Sequence, residues 1–136
     1  MKENELFWTI IRKSFEKDYT DFLKLRAQAR RAVKRFRPKT DRVKVPVDWV
    51  DLPVAGRYDY ERDRIEINPR TRLPIKQVLQ HEIAHRKIFK TYKTAKNVFM
   101  YNMLLEFADS DLSTWMNYYF DVYIRSQIVT IKKWYL

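Results

Sequence analysis

The sequence predicts an α+β fold, and three observations lead to this prediction. Apolar residues recur at helical spacing near both ends, whereas much of the stretch 42–67 alternates charged and apolar residues as strands do. The chain has 136 residues, of which 46% are hydrophobic, so a single domain can bury a core. We expect one domain over 1–136: N-terminal helices over 1–40, a core over 42–112 and a C-terminal helix within 113–136.

Two helices are predicted before residue 40. In residues 3–17, apolar side chains recur every fourth position, which gives the helix one apolar side. A second helix should begin near Asp18 or Thr20, either of which is a suitable N-cap, and end before Pro38. Its apolar stripe consists of Phe22, Leu25, Ala29, Ala32 or Val33, and Phe36.

A small sheet should follow. Residues 42–47, 57–60 and 64–67 alternate in polarity, which is typical of half-buried strands. Residues 61–63 fit a three-residue hairpin loop, and Gly56 is expected to mark a turn. We therefore predict about three strands, mostly antiparallel.

Three helices should complete the chain. One is predicted over 74–90, with Pro74 in its first turn and Thr71 as a candidate cap. Its core side should be formed by Ile75, Leu79, Ile83, Ala84 and Ile88. Another helix should begin near residue 97 and carry Phe99, Met103, Leu104 and Phe107. Asp111 or Ser113 should cap the aromatic C-terminal helix. Its extensive apolar surface should either pack as core over the helix of residues 74–90, cover a cleft or form a homodimer contact, and we favour the homodimer.

The charge balance is strongly basic. The formal net charge is +11, and residues 24–44 contain ten Lys/Arg against one acid, Asp41. Such a run indicates either a nucleic-acid or anionic-protein partner or a solvated helix face, and we favour the solvated face. The chain has no cysteine, so a metal must be held by histidine and carboxylate.

The composition also bears on location. The first residues lack the basic and continuous apolar segments of a signal peptide, so a cytoplasmic location is the default expectation. A membrane span over 112–131 is not expected, because four strongly polar residues interrupt it: Asn117, Asp121, Arg125 and Gln127.

Both histidines of the chain lie in the motif His81-Glu82-Ile83-Ala84-His85. On a helix, residues four apart share a face, so the two imidazoles are placed to bind one Zn²⁺ with Glu82 beside them. The simpler alternative is a pair of helix-surface histidines that bind nothing. Because both histidines occur here, after a predicted hairpin, we favour a metal site.

A catalytic zinc usually takes three protein ligands, so a carboxylate is needed. Residues 87–105 contain no acid, and Glu106 is the first carboxylate downstream, within an apolar helical run. Asp109 lies three residues later on the same face and is placed to accept a hydrogen bond from a ligand imidazole. An ordinary surface glutamate and a solvated aspartate are the alternatives.

The H-E-I-A-H motif followed by Glu106 resembles the pattern of the gluzincins, a group of zinc peptidases with H-E-x-x-H motifs. The small size is similar to that of the minigluzincins, and the resemblance covers about residues 42–112. It implies that His81, His85 and Glu106 bind Zn²⁺ and that Glu82 is the general base. Four residues after Glu106, where gluzincins often have an acid, this chain has Ser110.

The resemblance also implies a substrate. The strand Arg64-Ile65-Glu66-Ile67 would be the edge that pairs with an extended peptide, and Arg64 and Glu66 would tune specificity. No residue safely matches the group that stabilises the oxyanion; the candidates are Tyr101, Tyr118, Tyr119, Tyr123 and Arg125. The alternatives are a basic binding domain with a structural or vestigial zinc site, and a regulatory protease with a single protein partner.

Overall fold

Four α-helices and a three-stranded sheet form the described part of the chain. The structure is a computed structural model that describes residues 2–16, 22–38, 45–111, 114, 115 and 117. The elements follow the order α1 (Glu3–Glu16), α2 (Phe22–Val33), a short 3₁₀ helix (Lys34–Phe36), β1 (Val47–Trp49), β2 (Gly56–Asp59), β3 (Arg64–Ile67), α3 (Ile75–Thr91) and α4 (Ala95–Asp109). The α+β prediction is confirmed.

The helices share one hydrophobic core. The predicted stripe of α2 is buried at Leu25, Ala29 and Val33, and Phe36 of the 3₁₀ helix extends it. These side chains pack with buried residues of α1, α3 and α4 and with Trp115. The indole of Trp115 donates a hydrogen bond to Ser14 Oγ at 2.8 Å, which satisfies its buried N–H. The proposed caps Asp18 and Thr20 lie outside the described residues.

The sheet has the order β1-β3-β2. β2 and β3 form the predicted antiparallel hairpin, but β1 pairs with β3 in parallel. The expectation of a mostly antiparallel sheet is therefore wrong for one of the two pairings. Alternation along a strand shows which residues face the core, but it does not show which strand lies alongside. Strand β1 covers Val47–Trp49, and residues 42–44 of the predicted strand lie outside the described part.

The hairpin loop is one residue longer than predicted and covers 60–63. Asp63 has a positive φ of 53°, which is a left-handed conformation that aspartate tolerates better than most residues. The carboxylate of Asp59 accepts hydrogen bonds from the backbone N–H groups of Glu61 and Arg62 and stabilises the turn.

The glycine at position 56 is required by packing and does not lie in a turn. Gly56 is the first residue of β2 and does not have a positive φ. An added Cβ would lie 2.6 Å from Val78 Cγ1 and 3.3 Å from Glu82 Cγ, both on α3. Because it lacks a Cβ, Gly56 allows the helix that carries the histidines to approach β2 closely. The turn predicted at this glycine is therefore corrected to a close helix–strand contact.

Helix α3 lies between the sheet and the other helices. Its Val78 packs with Ile65 and Ile67 of β3, whereas Ala84 and Ile88 join the helical core. Three predictions at its start are wrong. Pro74 is the N-cap, and the Thr71 hydroxyl accepts from Leu73 N without capping the helix. Ile75, which was predicted on the core side, is the first residue of the helix and is 38% exposed.

Candidate metal centre

The two histidines of α3 lie side by side on one face of the helix. Their ring centroids are 4.7 Å apart, and the two Nε2 atoms are 3.1 Å apart. The i, i+4 spacing accounts for this arrangement, because residues four apart on a helix differ by only about 40° in direction.

Helix α4 brings the third side chain to the same point. It runs antiparallel to α3 after a three-residue connection, and the Thr94 hydroxyl caps it by accepting from Asn97 N. Oε1 of Glu106 lies 2.8 Å from Nε2 of His81 and 2.8 Å from Nε2 of His85. The structure therefore brings together the three side chains predicted as metal ligands.

The other nitrogen of each imidazole is held by a residue of α4. His81 Nδ1 is 2.5 Å from Asp109 Oδ2, and His85 Nδ1 is 2.7 Å from Asn102 Oδ1. Arg37 forms a two-point ion pair with the same Asp109 carboxylate, at 2.5 and 3.1 Å. Asp109 thus occupies the position proposed for it, and Asn102 and Arg37 are additional members of the site.

The hydrogen bonds at the two Nδ1 atoms determine the tautomer of each imidazole and therefore whether its Nε2 atom carries a lone pair. Both Asp109 and Asn102 offer oxygen acceptors, so each neutral imidazole places its proton on Nδ1. The lone pairs of both Nε2 atoms then point at the carboxylate of Glu106. Three electron-pair donors this close repel one another unless protons or a cation lie between them.

The donor atoms fit a small divalent cation. Around a tetrahedral zinc with bonds of about 2.0–2.1 Å, ligand atoms are separated by about 3.3 Å. The separations here are 2.8, 2.8 and 3.1 Å, so a shift of a few tenths of an ångström suffices. Two imidazoles and one carboxylate are ligands that zinc accepts readily. The residues present therefore fit the metal.

The ionisation of the metal-free site follows from its carboxylates. Burial lowers the pKa of His81, but the charge of Glu106 and the hydrogen bonds to Asp109 and Glu106 outweigh it and raise that pKa to about 10. Burial raises the pKa of Glu106, but the two histidines hold it well below its usual range. In the metal-free site, protonation of the histidines therefore supplies the positive charge that offsets the carboxylate of Glu106.

Glu82 is buried beside the three donor atoms. It is only 4% exposed, and its Oε2 has no hydrogen-bond partner among the described residues. Burial raises the pKa of its carboxyl above the usual range, the nearby histidines lower it, and the charge of Glu106 raises it further. A desolvated carboxylate with an unused oxygen is suited to accepting a proton.

A cavity of about 1130 Å³ adjoins the site, and its lining includes Glu82, His85 and Glu106. One wall is formed by Gly56, Arg57 and Tyr58 of β2. The other wall comes from the end of α3, the connection and the start of α4. Two of the three candidate metal ligands, His85 and Glu106, therefore border a space large enough for part of a peptide.

The edge strand proposed for substrate pairing is incorrect. Residues 64–67 form the central strand, which is hydrogen-bonded to β1 on one side and β2 on the other. The outward side chains of β3 form ion pairs across the sheet, Arg64 with Asp48 and Glu66 with Arg57. The edge strand at the cavity is β2, which pairs within the described part of the chain only with β3.

Several arginines of the basic run make contacts within the protein. Arg26 and Arg30 donate to the carbonyl oxygens of Ser110 and Ala108, at the C-terminal end of α4. Cations are favourable at this negative end of a helix dipole. Together with Arg37 on Asp109, they tie α2 and the 3₁₀ helix to the helix that carries Glu106. Residues 39–44 of the run lie outside the described part.

Other sequence predictions are located as follows. The Tyr101 hydroxyl hydrogen-bonds Glu3 and Tyr92, and this residue does not line the cavity. Asp111 accepts from Thr114 N at 2.7 Å, as a cap would. The remaining oxyanion candidates and most of the C-terminal helix, with its proposed dimer contact, lie outside the described residues. None of the described helices has both the length and the apolar composition needed to cross a membrane.

Asn102 and Arg37 were not predicted from the sequence. Asn102 precedes Glu106 by four residues and so shares its helix face, a spacing that identifies it as a candidate. Arg37 is 72 residues from Asp109, and no local pattern indicates their contact.

Comparison with known proteins gives no match. No family model matches the chain, and neither does any curated protein or solved structure.

Proposed function

We propose that this protein is a zinc-dependent metallopeptidase in which His81, His85 and Glu106 hold the metal. The observation that supports this most strongly is the convergence of three lone-pair atoms at 2.8–3.1 Å, with both outer imidazole nitrogens already hydrogen-bonded. Structural zinc sites are usually closed by four protein ligands. Here the described residues offer three, beside a cavity, which favours a catalytic site.

Zinc supplies a Lewis acid that lowers the pKa of water towards about 7 and polarises a carbonyl. The protein supplies the proton transfers. Glu82 Oε2, buried and without a partner among the described residues, accepts the proton of the attacking water. The same carboxyl then donates it to the nitrogen of the leaving amine.

The protein also positions the substrate. The side of β2 that has no strand partner among the described residues borders the cavity, so an extended peptide can add to the sheet there through main-chain hydrogen bonds. Gly56 lies at the start of this strand, against Glu82. Peptide pairing with β2 therefore places a scissile bond near the proton acceptor.

The alternative of a basic nucleic-acid- or protein-binding domain has less support. Three arginines of the basic run are engaged in contacts with residues 108–110 of the protein itself and not with a partner: Arg26, Arg30 and Arg37. Lys24, Arg31 and Lys34 are exposed but show no specific arrangement. A zinc enzyme accounts for the convergence of His81, His85 and Glu106, which a basic binding domain does not explain.

The test is Glu82→Gln. The substitution keeps the shape of the side chain but removes its basicity. We expect zinc content to be unchanged and kcat/KM on a peptide library to fall by about 10²–10⁴-fold. Glu61→Gln, an exposed change in the hairpin loop, is the matched control and should keep full activity. Equal turnover by wild type and Glu82→Gln would rule out the proposed role of Glu82.

A further inference from the structure

The cavity beside the candidate metal centre has a positive lining. Its ionisable side chains include three cations, Arg57, Lys90 and Lys93, and two acids, Glu82 and Glu106. The two acids belong to the proposed catalytic site, and a bound divalent metal adds two further positive charges. Away from the metal, all the charged side chains of the lining are cations.

Lys93 differs from the other two cations. Arg57 Nε lies 2.9 Å from Glu66 Oε1, and Lys90 Nζ lies 3.2 Å from Asp63 Oδ2. Lys93, in the connection between α3 and α4, is exposed and has no acidic partner among the described residues. No acid among the described residues neutralises its charge, so Lys93 is the cation of the lining best placed to pair with a ligand in the cavity.

Aromatic rings line the same cavity. Tyr60 and Phe89 are 60% and 40% exposed, and their ring centroids are 5.4 Å apart. The hairpin that carries Tyr60 is fixed to α3, because Asp63 accepts hydrogen bonds from Arg86 at 2.8 and 3.1 Å. This exposed aromatic surface is positioned to be covered by an apolar side chain of a ligand.

We propose that the cavity selects peptide segments in which a bulky apolar residue lies next to a carboxylate, and that Lys93 recognises the carboxylate. The carboxylate is either an acidic side chain or the C-terminus of the peptide. This inference rests on the proposed peptidase function for the nature of the ligand. It adds the substrate class, which the metal site alone does not define.

The experiment measures binding, so that it does not depend on turnover. The probes are fluorescein-labelled heptapeptides with a central phenylalanine, which is flanked on both sides by either glutamate or glutamine. Each of these two peptides is made with a free and with an amidated C-terminus. Their affinities are measured by fluorescence anisotropy for zinc-treated Glu82→Gln protein, alone and combined with Lys93→Glu or Lys93→Gln. Lys96→Glu is the matched control, because it makes the same charge change at an exposed residue outside the cavity lining.

We expect the carboxylate-bearing peptide to bind about two- to fivefold more tightly than its neutral partner, as for an exposed ion pair. Lys93→Gln should abolish this preference, Lys93→Glu should reverse it, and Lys96→Glu should retain it. The glutamate and free-terminus pairs identify which carboxylate is recognised. Added salt should weaken the preference.

The inference is overturned if no peptide binds, if charged and neutral peptides bind equally, or if Lys93→Glu and Lys96→Glu have the same effect. Turnover of the same peptides by wild-type protein is measured separately. Carboxylate-selective binding without turnover would contradict the proposed peptidase function but not the role of Lys93. Turnover without selectivity would contradict only the role of Lys93.

Discussion

Asp109 Oδ2 lies 2.5 Å from Nδ1 of His81, on the side of the imidazole away from Glu106. This contact places the proton on Nδ1 and orients Nε2 towards the other donors. Because Arg37 binds the same carboxylate, the ring of His81 is held through a chain of contacts that begins outside α3 and α4. The affinity of the metal site should therefore depend on residues that never touch the metal.

The first prediction concerns this chain of contacts. Asp109→Ala should weaken zinc binding by about 10–100-fold, the usual cost of losing such an outer partner. Arg37→Ala should weaken it less, because Asp109 itself remains. Competition with a chromogenic zinc chelator measures both affinities, and Glu61→Gln is the control. An unchanged zinc affinity in Asp109→Ala would show that His81 needs no such support.

The second prediction concerns Asn102. Asn102→Leu removes the oxygen 2.7 Å from His85 Nδ1 and should weaken zinc binding by about 10–100-fold. Asn102→Asp keeps an oxygen acceptor at the same position and should retain most of the affinity. The same chelator competition distinguishes the two variants. Equal losses in both would indicate that an oxygen acceptor at this position is not what supports zinc binding.

The third prediction concerns Gly56. Gly56→Ala places a methyl group 2.6 Å from Val78 Cγ1, so the Val78 side chain or the packing of α3 against β2 must shift. Overpacking of this kind should lower the free energy of unfolding by about 1–3 kcal/mol. Urea denaturation measures the loss. Adding Val78→Ala removes the closest atom, so in a double-mutant cycle the combined loss should be smaller than the sum of the two single losses. Strict additivity would argue against this contact.

The fourth prediction concerns pH. In the metal-free protein the charge of Glu106 and the contacts with Asp109 raise the pKa of His81 from about 6.5 to about 10, against the opposing effect of burial. A histidine whose pKa is raised on folding stabilises the fold fully when the pH is below about 6.5, and this stabilisation is lost as the pH rises towards 10. Zinc needs an unprotonated Nε2, so its binding strengthens over the same interval.

Metal-free protein should therefore become less stable from pH 6.5 to 10, as its His81 deprotonates. The difference in melting temperature between zinc-loaded and metal-free protein should widen over the same interval. Calorimetry at several pH values checks both trends, and His81→Gln should show a shallower dependence in the metal-free state. A difference that narrows with rising pH would contradict the assignment of His81 as a ligand.

Much of the fold and the arrangement of the site could be predicted from local patterns. The periods of 3.6 and 2 identified the helices and the hairpin, and the four-residue spacing of His81 and His85 placed them on one face. Glu106 was identified because the preceding residues contain no acid. Each of these inferences uses residues that are close in the sequence or chemically distinctive.

What could not be predicted depends on contacts between distant segments. The alternation of residues 64–67 shows that Ile65 and Ile67 face the core, but it does not reveal that β3 has neighbours on both sides. The role of Gly56 depends on how closely α3 approaches β2. The pairing of Arg37 with Asp109 depends on the packing of α2 against α4, which is decided by the whole core.

The most direct test of the central claim is the zinc content of untagged wild-type protein and Glu106→Ala, after dialysis against zinc and then buffer. Glu66→Ala, which removes an acid that pairs with Arg57 on the outer face of the sheet, is the control. We predict about one zinc per chain in wild type and in Glu66→Ala, and a marked loss in Glu106→Ala, since a third ligand is needed. No zinc in the wild-type protein, or equal zinc in Glu106→Ala, would contradict the metal centre formed by His81, His85 and Glu106.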